Sequence, residues 1–236
     1  MRKTFQIAID GPVAAGKGTV SRLLAQRLGF LYVDTGAMYR ATALLALRHE
    51  IDLNDEDKVV ALLEKSKLEM RNPLPPKELD GRLTTVILDG EDVSWAIRTQ
   101  KCGIGASKVA VLSKLRQTLV KKQQEIASTQ DVVMEGRDIT FRVLPDADLK
   151  IFLTANLQAR AARRHTQYLT KGMNITIEAV TSEIKERDTR DMQRKIDPLR
   201  IVPDAWVLDT SELKIEEVVD LIADKVQKIR NQNTNE

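Results

Sequence analysis

The sequence predicts an α/β fold: a mostly parallel five-stranded sheet in a three-layer arrangement, with a small antiparallel insertion and a helical hairpin. Three observations predict it. Apolar strand-like runs alternate with amphipathic helical segments along most of the 236 residues. A glycine-rich turn joins the first of these runs to the first helix. A hairpin signal, Asp89-Gly90, ends a β-branched stretch that lies outside that alternation.

Phe5–Ile9 reads as a buried strand. Thr19–Leu28 has helical periodicity in Val20, Leu23, Leu24 and Leu28, and Gly29 can stop the helix. Phe30–Val33 reads as the next strand, so strand, helix and strand form a βαβ unit with parallel strands. Tyr39–Leu47 and Val59–Met70 read as helices, and Arg71-Asn-Pro-Leu-Pro-Pro as a break. Arg82–Leu88 and the Asp89-Gly90 turn place an antiparallel patch near residues 67–98. Lys108–Ala127 reads as one long helix. Asp131–Met134, Ala147–Leu153 and Ala205–Asp209 complete the five core strands. Asn156–Thr170 and Thr176–Asp191 read as two charged helices, and Ile215–Arg230 as a closing helix before a polar tail, Asn231–Glu236, expected to fray.

Composition narrows the classes. With 42% hydrophobic and 30% charged residues the chain is globular rather than disordered. Its single cysteine, Cys102, permits no internal disulfide and suits a reducing compartment. Met1–Lys3 runs directly into a strand, no signal peptide is expected, and no apolar run is long enough to span a bilayer, so a cytoplasmic protein without a membrane partner is expected. Two histidines and one cysteine make no metal cage. Net charge is only +3, and four Phe, two Trp and three Tyr leave few stacking platforms, which weighs against a nucleic-acid-dependent ATPase.

The strongest chemical signal is the run Gly11, Pro12, Val13, Ala14, Ala15, Gly16, Lys17, Gly18, Thr19, set between a strand and a helix. Glycine allows close backbone approach, successive N–H groups form an anion nest, and the helix N-terminus adds partial positive charge. Lys17 would reach the outer phosphates of ATP, and the hydroxyl of Thr19 or Ser21 could help hold Mg²⁺. Gly18 stands where Ser or Thr is usual, as in small-molecule and nucleotide kinases with Gly-Lys-Gly-Thr. The core is therefore that of a P-loop NTPase.

Asp34-Thr35-Gly36-Ala37-Met38-Tyr39-Arg40 follows the second strand, where ligands of open α/β sheets gather. Thr35 is a candidate N-cap, with Tyr39 and Arg40 in the first turn, available to grip a phosphate. A P-loop kinase acting on a hydroxylated metabolite is the closest rival, and this motif weighs against it.

With these two motifs the segment Ile7–Arg40 resembles bacterial-type cytidylate kinase, of the nucleoside monophosphate (NMP) kinase superfamily. Asp89–Ser94, Ile97-Arg98-Thr99, Glu135-Gly136-Arg137-Asp138, Leu144-Pro145-Asp146-Ala147 and Ile184–Asp188 agree in order and spacing, so the resemblance runs from about Ile7 to Val219. It implies one kinase domain, 1–236, with an NMP-binding insertion at about 36–100 and a lid at about 156–191. It implies transfer from ATP to CMP and dCMP, Mg²⁺ bound mainly through the nucleotide, and no metal site of the protein's own. A monomer is expected. Thr35, Tyr39 and Arg40 would face the acceptor nucleotide, Ser107 and Arg116 the cytosine, and Arg187, Asp191 and Arg194 the acceptor ribose and phosphate, while Gly-Arg-Asp supplies Arg137 and Asp138.

Chemistry agrees with the transfer. Cytosine offers an amino donor at N4 and acceptors at O2 and N3; Asp138 can accept from the first and Arg116 donate to the others. Uracil would set a carbonyl against Asp138. Arg160, Arg163 and Arg164 lie on one charged segment, and Arg187, Arg190 and Arg194 recur at a spacing of three and four that puts them on one helix face. Arginine stabilises the charge spread over a transferring phosphoryl group. Lys17, Arg137, Arg187 and Arg194 are the expected catalytic residues, with Arg160 and Arg164 nearer ATP. A nucleoside monophosphate is largely dianionic at neutral pH, so no catalytic base is needed. One departure stands out: where the family usually continues Gly-Thr-Val-Val after Ile139, this chain has Thr140-Phe141-Arg142-Val143.

Overall fold

The structure, a computed structural model, describes residues 4–78, 80–170 and 172–234. The strands are β1 (Gln6–Asp10), β2 (Leu31–Asp34), β3 (Leu68–Arg71), β4 (Thr85–Leu88), β5 (Glu91–Asp92), β6 (Val132–Gly136), β7 (Leu149–Thr154) and β8 (Trp206–Asp209). The α-helices are α1 (Lys17–Leu28), α2 (Thr35–Arg48), α3 (Glu56–Lys65), α4 (Gln100–Val109), α5 (Ser113–Thr129), α6 (Leu157–Leu169), α7 (Ile177–Gln193) and α8 (Ile215–Thr234). One five-stranded sheet has the order β2–β6–β1–β7–β8, and a three-stranded sheet the order β3–β4–β5. β1, β7 and β8 run parallel, in register Ile7 opposite Leu149 and Ile151 opposite Trp206. The expected α/β architecture is therefore present, with β6 lying between the two strands of the first βαβ unit.

Two compact units divide the chain. One contains Phe30–Met134 and the residues before β1, and the other contains Gln6–Gly29 and the segment from Glu135 onward. In the first, α2 packs on α4 and α3 on α5. The antiparallel sheet carries the predicted turn: Asp89 and Gly90 both have positive φ, 50° and 86°, the geometry of a type I′ hairpin. Asn72 ties this sheet to β2, donating to the Phe30 carbonyl at 2.7 Å and accepting from the Tyr32 N–H at 3.0 Å.

Several helix boundaries differ from expectation, and three of them change how a helix ends or breaks. The helix expected over Val59–Met70 ends at Lys65, because Leu68–Arg71 pairs with Thr85–Leu88 and buries Met70. The single helix expected over Lys108–Ala127 is two, α4 and α5, broken at Ala110–Leu112. The break is satisfied locally: Arg116 Nη1 donates to the Ala110 carbonyl at 3.2 Å, and the Lys114 N–H donates to Glu56 Oε1 at 2.6 Å. α8 continues through Thr234, so the tail is helical that far; Asn235 and Glu236 lie outside the described residues.

In the second unit, α6 and α7 form the predicted hairpin. Asn156 and Thr176 cap their N-termini, and Gly172 turns with φ 72°. The hairpin packs Ala161, Val180 and Ile184 against Val13 of the glycine-rich loop.

Gly105 marks a close helix contact in the first unit. A Cβ there would stand 2.9 Å from the Ala43 Cβ on α2 and 3.3 Å from Leu53. Gly105→Val is expected to cost about 1–3 kcal/mol of overpacking, read by urea denaturation. An unchanged midpoint would mean the two helices do not need this close approach.

Candidate active site

In the second unit β1 ends at Asp10 and α1 starts at Lys17, two residues before the expected start, with Gly16 as left-handed N-cap at φ 94°. The loop between them leaves no room at Gly11, where a Cβ would lie 2.0 Å from the Leu153 carbonyl oxygen. The first turn of α1 carries no acidic side chain to offset the helix dipole. Lys17 is 5% exposed and donates to the Pro12 carbonyl at 2.9 Å. Burial pushes its amine down to about 7, and the nearby Arg137 and Arg187 push the same way. The Ser21 hydroxyl is fully enclosed, whereas Thr19 is half-buried.

A second loop leaves β6. Its turn, Ile139–Val143, is held by Asp10, a residue to which the sequence reading assigned no role. The buried Asp10 carboxylate accepts from the Ile139 N–H at 3.0 Å, the Thr140 N–H at 2.8 Å and the Thr140 hydroxyl at 2.7 Å. Burial raises its pKa, and these hydrogen bonds oppose the rise. An aspartate closing an otherwise apolar strand was the available signal. The turn presents Arg137, whose Nε donates to Asp191 at 2.7 Å, and Asp138, whose Oδ1 lies 3.7 Å from Arg194 Nη2.

The helical hairpin supplies the other arginines. Arg160, 8% exposed, pairs with Asp188 at 2.5 Å and donates to the Val13 carbonyl at 3.2 Å, while Asp188 accepts from the Val13 N–H at 3.3 Å. Arg160 and Asp188 thus clasp the glycine-rich loop through the two backbone groups of one residue, Val13. Arg164 stacks on Tyr168, 4.5 Å from its ring, and lies 3.6 Å from Glu183. Arg187 is half-buried and Arg190 exposed on α7. Arg194 does not share their face: α7 stops at Gln193, and Arg194, with extended backbone, donates through Nε to the Asp197 carbonyl at 2.6 Å.

In the first unit, α2 starts at Thr35, and its N-cap is Asp34 rather than Thr35 itself. The carboxylate accepts from the Ala37 N–H at 3.0 Å, a stronger cap than a hydroxyl beside the helix dipole. Tyr39 and Arg40 consequently fall in the second turn. Asp34 also accepts from Arg98 at 3.2 Å, and Arg40 stands 4.0 Å from it. Arg98 of Ile97-Arg98-Thr99 thus joins Arg40 at one carboxylate. Arg116 is 3% exposed and lies 5.9 Å from the Tyr39 ring centre. Ser107 is exposed, its hydroxyl turned back to the Gly103 carbonyl at 3.3 Å.

An anion nest at a parallel-strand end, a buried lysine and an arginine-bearing hairpin clasped to the same loop define a P-loop phosphotransferase. Residues 7–228 match the family profile of cytidylate kinase. The cytidylate kinase of Caldanaerobacter subterraneus subsp. tengcongensis is 47% identical over 95% of this chain and 96% of its own length. That of Caldicellulosiruptor bescii is 44% identical over 96% and 97%, and that of Bacillus subtilis 42% over 97% and 99%. The chain belongs to the cytidylate kinase family and is a nucleoside monophosphate kinase, for which ATP is the phosphoryl donor. Among the described residues no helix is long and apolar enough to cross a membrane.

Lys17 makes stability depend on pH with a defined sign. Unfolded, it keeps its proton to about 10.5; folded, it loses it near 7. The unfolded chain holds the extra proton between those values, so the native state gains stability as pH rises through that window. Lys17→Met removes the dependence. In urea unfolding series its stability relative to the parent is expected to be most favourable at pH 7 and below, and to fall toward pH 10. A difference constant across this range would contradict the burial argument.

Proposed function

We propose that this chain transfers the γ-phosphoryl group of ATP to CMP and dCMP through the residues assigned from its sequence. The observation that carries the reading is the glycine-rich loop itself: tight against Leu153 at Gly11, held at Val13 by Asp188 and Arg160, and ending at the buried Lys17 that opens α1. A site of this composition favours a polyanion, and phosphate oxygens would restore the Lys17 charge.

Gly11–Thr19 with Arg160 and Arg164 take ATP; Arg160 acts largely by holding Val13 in the loop. Thr35, Tyr39, Arg40, Ser107, Arg116, Arg137, Asp138, Arg187, Asp191 and Arg194 take the acceptor. Asp138 accepts from the cytosine amino group, and Arg116 donates to its ring acceptors. Lys17, Arg137, Arg187 and Arg194 bear on the oxygens of the moving phosphoryl group. The acceptor phosphate attacks as a dianion, so no side chain removes a proton.

Mg²⁺ would come with the nucleotide, and the half-buried Thr19 in the first turn of α1 would offer it a hydroxyl. Such an ion neutralises charge on the phosphates when bound. The hairpin at about 156–191 serves as a lid that excludes water, and about 36–100 as the NMP-binding insertion of a single kinase domain. We further propose a cytoplasmic monomer that works on small molecules without nucleic-acid or membrane partners.

A coupled ADP-release assay across CMP, dCMP, UMP and AMP tests the reading. CMP and dCMP are expected to drive turnover, with UMP well below them; no stimulation by CMP would refute it. Arg187→Ala is expected to lower turnover with CMP by about 10²–10³-fold, and unchanged turnover would remove Arg187 from the machinery.

A further inference from the structure

Thr140-Phe141-Arg142 is the stretch in which this chain departs from the pattern it otherwise resembles, and it occupies a defined place. Residues 139–143 form one closed turn. The Arg142 and Val143 N–H groups donate to the Asp138 carbonyl at 2.9 and 3.3 Å, and the Leu144 N–H to the Ile139 carbonyl at 2.8 Å. Thr140 fastens the inner side of the turn to Asp10. The outer side carries Phe141 and Arg142 toward the segment that follows α7.

That segment is short and unusual. Asp197 has φ 47°, a left-handed conformation that aspartate tolerates better than most residues. Arg194 Nε donates to the Asp197 carbonyl, and the buried Leu199 donates its N–H to the Asp191 carbonyl at 2.9 Å. The Arg200 guanidinium lies over the Phe141 ring, 4.1 Å from its centre. Arg142 Nε stands 3.8 Å from Asp197 Oδ2. With Asp138 and Arg194, the turn and the segment therefore meet at three successive points.

We propose that Phe141 and Arg142 are positioning residues: by gripping Arg200 and Asp197 they hold the Arg194–Arg200 segment, and so set Arg194 against Asp138 for the acceptor nucleotide. The inference rests on reading Asp138 and Arg194 as acceptor contacts. A ring face is required for the grip on Arg200, since an aliphatic side chain of similar size has no π-system to attract a guanidinium.

Steady-state kinetics with CMP and ATP varied separately test it on Phe141→Leu, Phe141→Tyr, Arg200→Ala, Arg194→Ala and the double variant Phe141→Leu/Arg200→Ala. Phe141→Leu and Arg200→Ala are each expected to raise KM for CMP about two- to fivefold, with KM for ATP and the thermal midpoint close to the parent. The double variant should be no worse than the larger single, as for two halves of one contact. Phe141→Tyr should keep the parental KM. An unchanged KM for CMP in Phe141→Leu, an equal rise for both substrates, failure of Phe141→Tyr to retain the parental value, or effects that multiply in the double variant would each overturn the proposal. Arg194→Ala separates the two levels. If it leaves CMP kinetics unchanged, the reading of Arg194 as an acceptor contact falls, and the proposal with it. If it impairs them while Phe141→Leu does not, the positioning role alone is wrong.

Discussion

The Asp10 carboxylate is the constraint on which the second unit's chemistry depends. It lies fully buried at the last residue of β1, where the strand gives way to the glycine-rich loop, and it accepts three hydrogen bonds from Ile139 and Thr140. Leaving such donors unpaired in the interior would cost about 1–3 kcal/mol each. One carboxylate therefore fixes the loop carrying Arg137 and Asp138 relative to the strand from which the phosphate nest springs. The nest is pinned from its other side by Asp188 and Arg160, which bind the N–H and carbonyl of Val13. Two carboxylates and one arginine thus hold the backbone while Lys17 stays buried with a depressed pKa. Burial disfavours the charge of that amine.

The first unit uses the same device on a smaller scale. Asp34 ends β2, caps α2 through the Ala37 N–H and accepts from Arg98, with Arg40 nearby. Two guanidinium groups share one carboxylate, so the cluster keeps a surplus of positive charge. Arg116 closes the break between α4 and α5 and sits beside Tyr39. In both units a strand-terminal aspartate orders the backbone beside arginines of the proposed site.

Much of this was legible in the sequence because the signals were local. The glycine-rich loop, the Asp89-Gly90 turn, the caps Asn156 and Thr176 and the stop at Gly29 all act within a few residues. What the sequence hid was non-local. Leu68–Met70 continues a helical pattern until its pairing with Thr85–Leu88 is known. The break at Ala110–Leu112 contains neither Gly nor Pro, and it is stabilised by Glu56 and by a side-chain bond from Arg116. Arg194 keeps helical spacing from Arg187 and Arg190, yet its Nε bond to Asp197 takes it off the helix. Asp10 carried no motif of its own, and Asp188 closed the Ile184–Asp188 motif without a role; their roles come from partners at sequence separations of 130 and 175 residues.

The most direct test of this account is turnover of CMP by Asp10→Asn, measured alongside hydrogen exchange of the Ile139 and Thr140 amides. An asparagine has one acceptor oxygen where three donors converge, and its amino group opposes one of them. The account predicts that the two amides lose their protection and that turnover falls at least tenfold, about 1.4 kcal/mol or more, while the rest of β1 stays protected. Amides that lose protection while turnover matches the parent would contradict the claim that this buried carboxylate organises the site.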